Sequence, residues 1–481
     1  DTQLARMADL HLQHKPGTDV ALINGMMKVI IDSNLHDKEF IETRTEGFDE
    51  LTKIMDDYPL DKVEGITGVP AADIEKAALM YAQAERSTML FSMGITQHTT
   101  GTDNVKACAN LSMLTGNIGK PGTGVNPLRG QNNVQGACDV GCLSNVFPGY
   151  QAVTDGEKRA QIAKVWGVAE LPAEVGLTVV EMMDAASEGK IKAMYIMGEN
   201  PMVSDPDLTH VEEALESLDF LVVQDIFLTE TAKLADVVLP ATCWAEKDGT
   251  FTNTDRRVQI SRKAVDPPGE AKLDWEIICM LANEMGAGDL FPFRSVNEIF
   301  DELRKVTPLY TGMTYQRMAG DGLQWPCPEE GHPGTPILHV DKFSRGLGKF
   351  HPVEYKSPAE VPDEEYPYIL TTGRSIFQFH TGSMSRRSPM LDSEVKEGYI
   401  EINAEDAKEL GIKDGDMVEV SSRRGRIDTK AFITNRVTRG VVFMLFHFAE
   451  RAANVLTNSA LDPIAKIPEL KVCAVKIEAK R

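Results

Sequence analysis

The chain is organised around one polar stretch, residues 126–139, which reads Asn-Pro-Leu-Arg-Gly-Gln-Asn-Asn-Val-Gln-Gly-Ala-Cys-Asp. We call this stretch the arginine loop. It is too polar for a core strand and lacks the apolar period of a helix, so we expect an ordered loop. Its dense amides suit a large polar ligand, and Arg129 adds a planar cation that matches a carboxylate. From these residues alone, a solvated turn whose arginine pairs with an aspartate is the simpler explanation.

The length and charge of the chain limit the classes of protein to which it can belong. Its 481 residues are too many for one hydrophobic core and predict three or four domains. A formal net charge of −22 argues against nucleic acid or an anionic membrane as a partner, because both require a basic surface. The same charge repels an anionic substrate, so a local cation must reverse the sign of the field at any site that binds one.

Neither a membrane span nor a metal-binding cysteine motif is predicted. No apolar run approaches the roughly 20 residues that a span requires, and no signal peptide opens the sequence. The chain starts at Asp1 rather than at a methionine, so we expect an N-terminus that is cut or separately encoded. The seven cysteines include no Cys-x-x-Cys pair, which is typical of reduced thiols in a cytoplasmic protein and signals neither zinc nor an iron–sulfur cluster.

The start of the chain predicts a buried helix over roughly 20–34, preceded by a turn at Gly17. Helix N-termini bind anions, so the residues from Gly17 to Asp19 are candidates to hold part of a nucleotide. A plain N-cap by Thr18 or Asp19 explains them equally well.

A strand over residues 89–92 leads into Met93 and Gly94, and a helix is predicted over 103–115. Strand, glycine turn and helix form half of a doubly wound unit, in which ligands collect at the carboxyl ends of the strands. We therefore expect residues 93–97 and the arginine loop on the same rim.

A second parallel sheet is predicted from three apolar segments, 193–197, 220–225 and 236–240, with helices between them. Polar residues follow these strands, which is the layout of a nucleotide pocket; they are Asn200, Gln224, Asp225 and Thr242. Asp225 is placed to take ribose hydroxyls or a guanine edge, and it could equally cap the following turn. Neither a dinucleotide-binding glycine motif nor a P-loop occurs.

The last part of the chain, from roughly 341, predicts a small β-barrel with one helix at 404–410, whereas 286–340 is rich in glycine and proline and predicts a linker. Within the barrel, a glycine turn with hydroxyls and one arginine offers contacts for phosphate or pterin; its residues are Gly373, Arg374 and Ser375, with His380 and Thr381 shortly after. His380 taken alone is more simply a core or surface histidine.

A set of motifs closely resembles the catalytic subunit of molybdopterin-dependent formate dehydrogenases along essentially the whole chain. The first are Met-Gly-Ile-Thr-Gln at 93–97, Leu-Thr-Gly-Asn at 114–117 and the arginine loop. The later ones are Gly-Glu-Asn-Pro at 198–201, Gln-Asp-Ile-Phe at 224–227, Ala-Asp-Val-Val-Leu-Pro at 235–240 and Thr-Asn-Thr-Asp-Arg-Arg at 252–257.

The resemblance implies an α/β protein with doubly wound, mostly parallel sheets, the molybdopterin oxidoreductase fold, and a C-terminal six-stranded double-psi β-barrel. It divides the chain into four parts. These are a Rossmann-like domain at 1–131, a second α/β domain binding pterin guanine dinucleotide at 132–243, a connector with the remainder of the cluster-proximal domain at 244–340, and the dinucleotide-binding barrel at 341–481.

The resemblance also implies molybdenum or tungsten held by two molybdopterin guanine dinucleotides, and a reversible two-electron oxidation of formate to carbon dioxide. Arg129 would pair with the formate carboxylate and orient its C–H bond, and we expect its guanidinium to be buried in a small dry pocket. The implied cofactor-binding residues are Gly17, Asp19, Met93, Gly94, Gln97, Gln131, Gly198, Asn200, Ser204, Gln224, Asp225, Thr242, Asp274, Gly373, Arg374, Ser375, His380, Thr381, Asn454 and Lys471.

Several parts that the family requires do not occur in this sequence. They are four cysteines for a [4Fe–4S] cluster, a nearby lysine, and a cysteine or selenocysteine that binds the metal and precedes a histidine. No Cys-His dipeptide occurs, so we expect no metal ligand in this chain and place these parts upstream. The chain alone should not turn over, and an iron–sulfur subunit, or a flavin subunit serving a deazaflavin, should carry the electrons away.

Two alternatives remain. Another molybdopterin enzyme, such as a nitrate reductase, is disfavoured by Arg129, because carboxylate recognition requires a cation there and the resembling nitrate enzymes lack this loop. A non-catalytic scaffold like that of respiratory complex I is favoured by the missing metal ligand and opposed by the amide-rich arginine loop.

Overall fold

The computed structural model describes residues 1–480. By its internal contacts the chain divides into two compact units. The first unit comprises Asp1–Leu128, Pro201–Glu212 and the chain from Ile337 onward; the second comprises Arg129–Asn200 and Glu213–Pro336. The division of the chain into four functional domains stays a prediction.

A helical layer forms the N-terminal part of the first unit. Its helices are Gln3–Met7, Asp19–Asp32, Lys38–Arg44, Phe48–Met55, Leu60–Thr67, Ala71–Gln83, Met93–Thr96 and Gly101–Leu114. The central helix Asp19–Asp32 is apolar on most faces, and its Met27 and Ile30 are fully buried against Leu111 and Leu114. Two short strands, Thr88–Phe91 and Gly124–Pro127, pair in parallel beside this core, and Thr45–Glu46 pairs in parallel with Gly348–Lys349.

A closed six-stranded barrel forms the C-terminal part of the first unit, which confirms the predicted barrel. Its strands are Tyr368–Gly373, Tyr399–Ile402, Met417–Ser421, Arg426–Ile433, Val441–Leu445 and Cys473–Ala479, and its helices are Pro389–Glu394 and Ala404–Leu410. Around the barrel they follow the order first, fifth, second, fourth, third, sixth. In Met417–Ser421, Val418 and Val420 face the interior and are fully buried, as the alternating sequence predicts.

The second unit contains the predicted three-stranded parallel sheet, with Phe220–Asp225 between Ala193–Met197 and Val237–Pro240. Short antiparallel strands also occur: Gly249–Thr252, Arg257–Ser261 and Leu323–Gln324 form one sheet, and Val146–Phe147 pairs with Gln151–Ala152. The helices of this unit are Val134–Asp139, Gly156–Trp166, Val179–Ser187, Asp274–Glu284, Val296–Val306 and Tyr315–Met318. Pro201–Ser204 belongs to the first unit, and Leu208–Glu216 crosses the division.

Two expectations about local structure are wrong. The arginine loop is not wholly a loop, because Val134–Asp139 forms a helix whose buried side is polar rather than apolar. The stretch 286–340 is not a linker, because its amphipathic helix Val296–Val306 and the following turns bury Phe300, Tyr310 and Met318 in a hydrophobic core that also contains Val258. Glycine and proline content did not reveal this, since burial here comes from a few widely spaced apolar residues.

Within the described residues, no helix combines the length and the apolar character that crossing a bilayer requires.

Candidate functional site

Two parallel strands of the first unit bring polar segments to one edge. Thr88–Phe91 and Gly124–Pro127 run in the same direction. Beyond them, Leu128 N donates to Phe91 O at 2.7 Å and Ser92 Oγ donates to Leu128 O at 3.0 Å. The carboxyl ends of both strands therefore deliver Met93 and Leu128 to the same edge, which is the position expected of a ligand-binding rim.

Arg129 is held at its backbone and at one side-chain nitrogen. Arg129 and both of its partners lie in the second unit. The backbone N–H of Arg129 donates to Thr254 Oγ1 at 3.1 Å, and its side-chain Nε donates to Gln135 Oε1 at 3.0 Å. Neither terminal amino group of the guanidinium makes a hydrogen bond or ion pair to any residue from 1 to 480. The planar fork is thus fixed at its base and uncommitted at its tip, which is what bidentate recognition of a carboxylate requires.

The expected burial of this guanidinium is wrong for the chain as described. Arg129 is exposed, and so are its neighbours Leu128 and Gly130. A surface position leaves the charge in contact with water, where a single ion interacts far more weakly than in a dry pocket. Gln131 is half-buried, and its side chain makes no hydrogen bond to the described residues.

Behind Arg129 lies a buried polar network that the sequence analysis did not identify. Gln135 Nε2 donates to Asp139 Oδ1 at 2.8 Å and lies 3.0 Å from the hydroxyl of Tyr150. The carboxylate of Asp139 also accepts from Tyr150 at 2.7 Å and from Tyr310 at 2.6 Å. Burial raises the pKa of Asp139, and these hydrogen bonds oppose that rise. Gln135 and Asp139 are four positions apart on the helix Val134–Asp139, but this spacing carried no signal while a loop was expected there.

In the second unit, the predicted residues at the ends of the parallel strands are engaged mainly with the protein. Asn200 donates to Glu230 at 2.9 Å and accepts from Thr231 Oγ1 at 2.8 Å. Asp225 Oδ1 accepts from the N–H groups of Ile226 and Phe227 at 2.6 and 3.2 Å. Asp225 therefore caps the following turn, which was the alternative interpretation.

Gln224 and Asp274 are brought together although they are distant in sequence. Gln224 is fully buried; it accepts from the Tyr195 hydroxyl and donates from Nε2 to Asp274 Oδ1 at 2.7 Å. Asp274 also pairs with Lys247. Close by in sequence, the hydroxyl of Thr242 is buried and has no partner among residues 1–480.

Gly198 differs from these residues because it leaves open space. It adopts a φ of +65°, and no atom of the described chain lies within 4 Å of the position a Cβ would take. The end of the strand Ala193–Met197 can therefore admit a ligand close to its backbone.

In the first unit, Gly17 and Asp19 occupy a crowded turn. Gly17 has a φ of +81°, and a Cβ there would lie 2.5 Å from Pro358 Cγ, so only glycine fits. Asp19 pairs with His14 at 3.1 Å and lies 4.0 Å from His98. Burial acts to raise its pKa, and the two histidines outweigh burial and lower it. Because Thr18 makes no capping hydrogen bond and Asp19 is already within the helix, a plain N-cap does not account for these residues.

The sulfur of Met93 links two other predicted residues. Gln97 Nε2 lies 3.4 Å from Met93 Sδ, and Arg374 Nη2 lies 3.8 Å from the same atom. At the neighbouring Gly94, no described atom would contact an added Cβ. The helix Met93–Thr96 thus meets the loop after the first barrel strand and leaves space at its glycine.

At the end of that barrel strand, Gly373 is packed against the ring of Phe443, 2.5 Å from where a Cβ would lie. Ser375 Oγ accepts from Phe377 N at 3.3 Å, and Thr381 Oγ1 pairs with Ser383 Oγ at 2.9 Å. These hydroxyls therefore shape the loop itself.

Two cations in this region, the half-buried Arg374 and the buried Lys471, face no carboxylate. Arg374 and Lys471 form no ion pair with any residue from 1 to 480, and the Nε of Arg374 is buried without a hydrogen bond. Lys471 Nζ donates to Thr372 O at 2.6 Å; burial first, and Arg374 second, lower its pKa to about 8. Burial and Arg374 also lower the pKa of His380 to about 4. Burying unpaired cations is unfavourable, so this donor set fits an anionic group such as a phosphate.

Asn454 and Ser204 contact each other. Asn454 Nδ2 donates to Val203 O at 3.1 Å and to Ser204 O at 3.0 Å, whereas its Oδ1 is buried without a partner in the described structure. The sequence analysis also did not identify His447, which is fully buried and has no hydrogen bond at either ring nitrogen within residues 1–480. Only the tertiary structure reveals that histidine.

Comparison with known proteins adds independent information. A family model described as "Molybdopterin oxidoreductase" matches residues 1–284, and one described as "Molydopterin dinucleotide binding domain" matches residues 368–474. The F420-dependent formate dehydrogenase subunit alpha of Methanocaldococcus jannaschii is 60% identical over 479 residues, covering 99% of this chain and 71% of that protein. The F420-dependent formate dehydrogenase 2 subunit alpha of Methanococcus maripaludis is 58% identical, with 99% and 70% covered.

Among solved structures, acetylene hydratase from Pelobacter acetylenicus matches with a TM-score of 0.74 and 22% identity, covering 99% of this chain and 72% of that one. At this identity the match shows the fold alone.

Proposed function

Because the chain belongs to the molybdopterin oxidoreductase family, we propose that it forms the larger part of a formate dehydrogenase catalytic subunit, which oxidises formate reversibly to carbon dioxide. The single observation that carries the proposal is the guanidinium of Arg129, fixed at Nε and uncommitted at both terminal amino groups. The names of relatives at 58% and 60% identity support formate as the substrate.

Arg129 would bind and orient the substrate. Two parallel N–H groups match the two oxygens of a carboxylate, so the fork both attracts formate and sets the direction of its C–H bond. A net charge of −22 repels an anionic substrate, and the guanidinium of Arg129 would reverse the sign of the electrostatic potential locally.

The residues present fit a phosphate-bearing pterin cofactor. In the first unit, Arg374 and Lys471 would take anionic oxygens, with Gly94 leaving room for close approach. In the second unit, Gly198 and Thr242 would accept the other dinucleotide. The group proposed is molybdenum or tungsten with two molybdopterin guanine dinucleotides, and when bound it supplies the two-electron chemistry.

Of the remaining predicted residues, one would contact the pterin directly and the others would shape the surface on which the cofactor lies. Gln131 offers an uncommitted amide for a pterin. Gly17, Asp19, Met93, Gln97, Gly373, Ser375, His380, Thr381, Ser204 and Asn454 would shape the cofactor surface of the first unit, and Asn200, Gln224, Asp225 and Asp274 that of the second. This assignment rests on the resemblance, and for Asp19, Asn200, Gln224 and Asn454 also on their burial.

Further parts are proposed to lie outside this sequence. The [4Fe–4S] cluster and the cysteine or selenocysteine ligand of the metal would be supplied upstream, so the chain alone should be inactive. Electrons would leave through an iron–sulfur or flavin subunit. The words "F420-dependent" in the names of the two relatives favour F420 as the final acceptor. We place the protein in the cytoplasm.

The test uses the complete enzyme, co-expressed with its upstream sequence and electron-transfer subunit. Metal and pterin content are measured first, followed by formate-dependent reduction of a dye and of F420. Arg129→Lys should lower kcat/KM for formate at least about 100-fold, because lysine supplies a charge without the planar fork.

Arg294→Lys is the matched control, because Arg294 is an exposed arginine of the second unit outside the network and should keep full activity. A metal- and pterin-loaded enzyme with no formate-dependent reduction would overturn the proposal. Full activity of Arg129→Lys would overturn the assigned role of that residue.

A further inference from the structure

A continuous chain of hydrogen bonds leads from Arg129 into the interior of the second unit. Arg129 Nε donates to Gln135 Oε1 at 3.0 Å, and Gln135 Nε2 donates to Asp139 Oδ1 at 2.8 Å. Arg129 is exposed, whereas Gln135 is 5% and Asp139 0% exposed. The substrate-facing cation is thus anchored to a buried carboxylate through one amide.

Three side chains donate hydrogen bonds to the carboxylate of Asp139. Oδ1 accepts from Gln135 and Tyr150, and Oδ2 accepts from Tyr310 at 2.6 Å. An ionised carboxylate has only acceptors, so it matches three donors without conflict. These hydrogen bonds also offset part of the hydration that a fully buried carboxylate loses.

The acceptor-only character of Asp139 decides which way the Gln135 amide faces. An amide has one donor end and one acceptor end, and its two orientations have nearly the same shape. With a carboxylate on one side, the NH₂ end must point to Asp139, so the carbonyl oxygen must point to Arg129 Nε. The reverse orientation would place NH₂ against the guanidinium, and both groups are donors.

We propose that Asp139 is a positioning residue: acting through Gln135, it holds Arg129 by Nε and so directs both terminal amino groups toward the substrate. This inference rests on the proposed function, because it deepens the role of Arg129 in binding formate. Residues that orient metal ligands by hydrogen bonds typically contribute about 10- to 100-fold to affinity or activity, and we expect an effect of the same size here.

The first variants are made in the complete enzyme. Asp139→Asn keeps the shape of the side chain and introduces an NH₂ donor. The Gln135 amide can then turn its carbonyl oxygen toward residue 139, which removes the acceptor from Arg129 Nε. Gln135→Met keeps the length and removes the link. Each should lower kcat/KM for formate about 10- to 100-fold, mainly through KM, with the metal and pterin content unchanged.

The double variant Asp139→Asn with Gln135→Met separates positioning from simple support of the fold. If Asp139 acts through Gln135, the double variant should be no worse than Gln135→Met alone, because the second change has no link left to break. Losses that multiply would overturn the proposal. If Asp139→Asn does not fold, Gln135→Met alone still tests it, because unchanged kcat/KM in that variant overturns it as well.

A matched control removes stability without touching the network. Ile162 is buried in the helix Gly156–Trp166 of the same unit, and Ile162→Ala should lower the melting temperature yet leave kcat/KM within threefold. A loss in this control equal to that in Asp139→Asn would mean that the network only supports the fold, which overturns the proposal.

A measurement independent of activity distinguishes this inference from the proposed function. The Nε–H of Arg129, assigned by its absence in Arg129→Lys, should exchange slowly with solvent in the wild type and rapidly in Asp139→Asn. If the Arg129 Nε–H exchanges slowly in both the wild type and Asp139→Asn, the positioning inference is overturned, whereas the proposed oxidation of formate is not affected. The opposite result is also informative. If exchange becomes rapid in Asp139→Asn but the enzyme loaded with metal and pterin does not oxidise formate, the positioning role is supported and the proposed function is overturned.

Discussion

Asn454 donates its side-chain amide to the carbonyl of Ser204 at 3.0 Å. Both residues were predicted to bind cofactor, and both belong to the first unit although 250 positions separate them. The amide also reaches Val203 O at 3.1 Å, and Asn454 is 1% exposed. One buried side chain therefore connects the segment around residue 204 to the barrel region, whatever ligand its free oxygen accepts.

Asn454→Ala should destabilise the protein by about 1–3 kcal/mol, because two buried carbonyl groups lose their donor. The melting temperature should fall in cofactor-free protein as well as in loaded protein. Asn297→Ala, at an exposed position of the helix Val296–Val306, is the control and should change stability by less than about 0.5 kcal/mol. A fall seen only in loaded protein would assign Asn454 to the cofactor alone.

Arg374→Met should lower the metal and phosphorus that purify with the complete enzyme, because it removes one of the two cations, Arg374 and Lys471, that face no carboxylate. In cofactor-free protein the same change should leave the melting temperature unchanged or raise it, since a half-buried charge with a buried, unpartnered Nε disfavours folding. Elemental analysis and thermal unfolding measure the two effects. Arg345→Met, at an exposed arginine paired with Glu46, should change neither one appreciably.

His447→Phe should make the protein more resistant to acid. Burial, with Arg386 and Arg374, lowers the pKa of His447 to about 4 against an ordinary value of 6.5, and the opposing effect of Glu450 is smaller. Between these values the unfolded chain binds a proton that the folded chain does not, so stability falls as pH falls from 6.5 to 4.

His447→Phe removes the imidazole and with it this loss of stability, which amounts to about 2–3 kcal/mol of unfolding free energy near pH 4. The melting temperature of the variant minus that of the wild type should therefore increase steadily from pH 7 to pH 4.5. His11→Phe, at an exposed histidine, is the control. A constant difference for His447→Phe would contradict the assignment.

Gly101→Ala and Gly65→Ala should have opposite effects. A Cβ at Gly101, the first residue of its helix, would lie 2.1 Å from Thr96 O, so we expect a loss of more than about 2 kcal/mol. Gly65 lies in the helix Leu60–Thr67, where no described atom would meet the new methyl group, and alanine should stabilise that helix by about 0.5–1 kcal/mol. Thermal unfolding of both variants checks the pair.

Local sequence patterns correctly predicted much of the secondary structure and both main sheets. The apolar segments at 193–197 and 220–225 predicted a parallel sheet, and the alternation in 417–421 predicted a barrel strand. Each such pattern is a property of neighbouring residues, because the strand period of two and the helix period of 3.6 are written into consecutive side chains. The motifs of the arginine loop likewise indicate the family without reference to the tertiary structure.

Other properties depended on which distant segments meet. The sequence alone indicated most of the element types, the family and, through the resemblance to that family, Arg129 as a candidate to bind a carboxylate. Only the tertiary structure decided that Arg129 is exposed, that Gln135 and Asp139 anchor it with help from Tyr310, and that Arg374 has no acidic partner. Burial and hydrogen-bond partners are relations between side chains far apart in the sequence, and no local period encodes them.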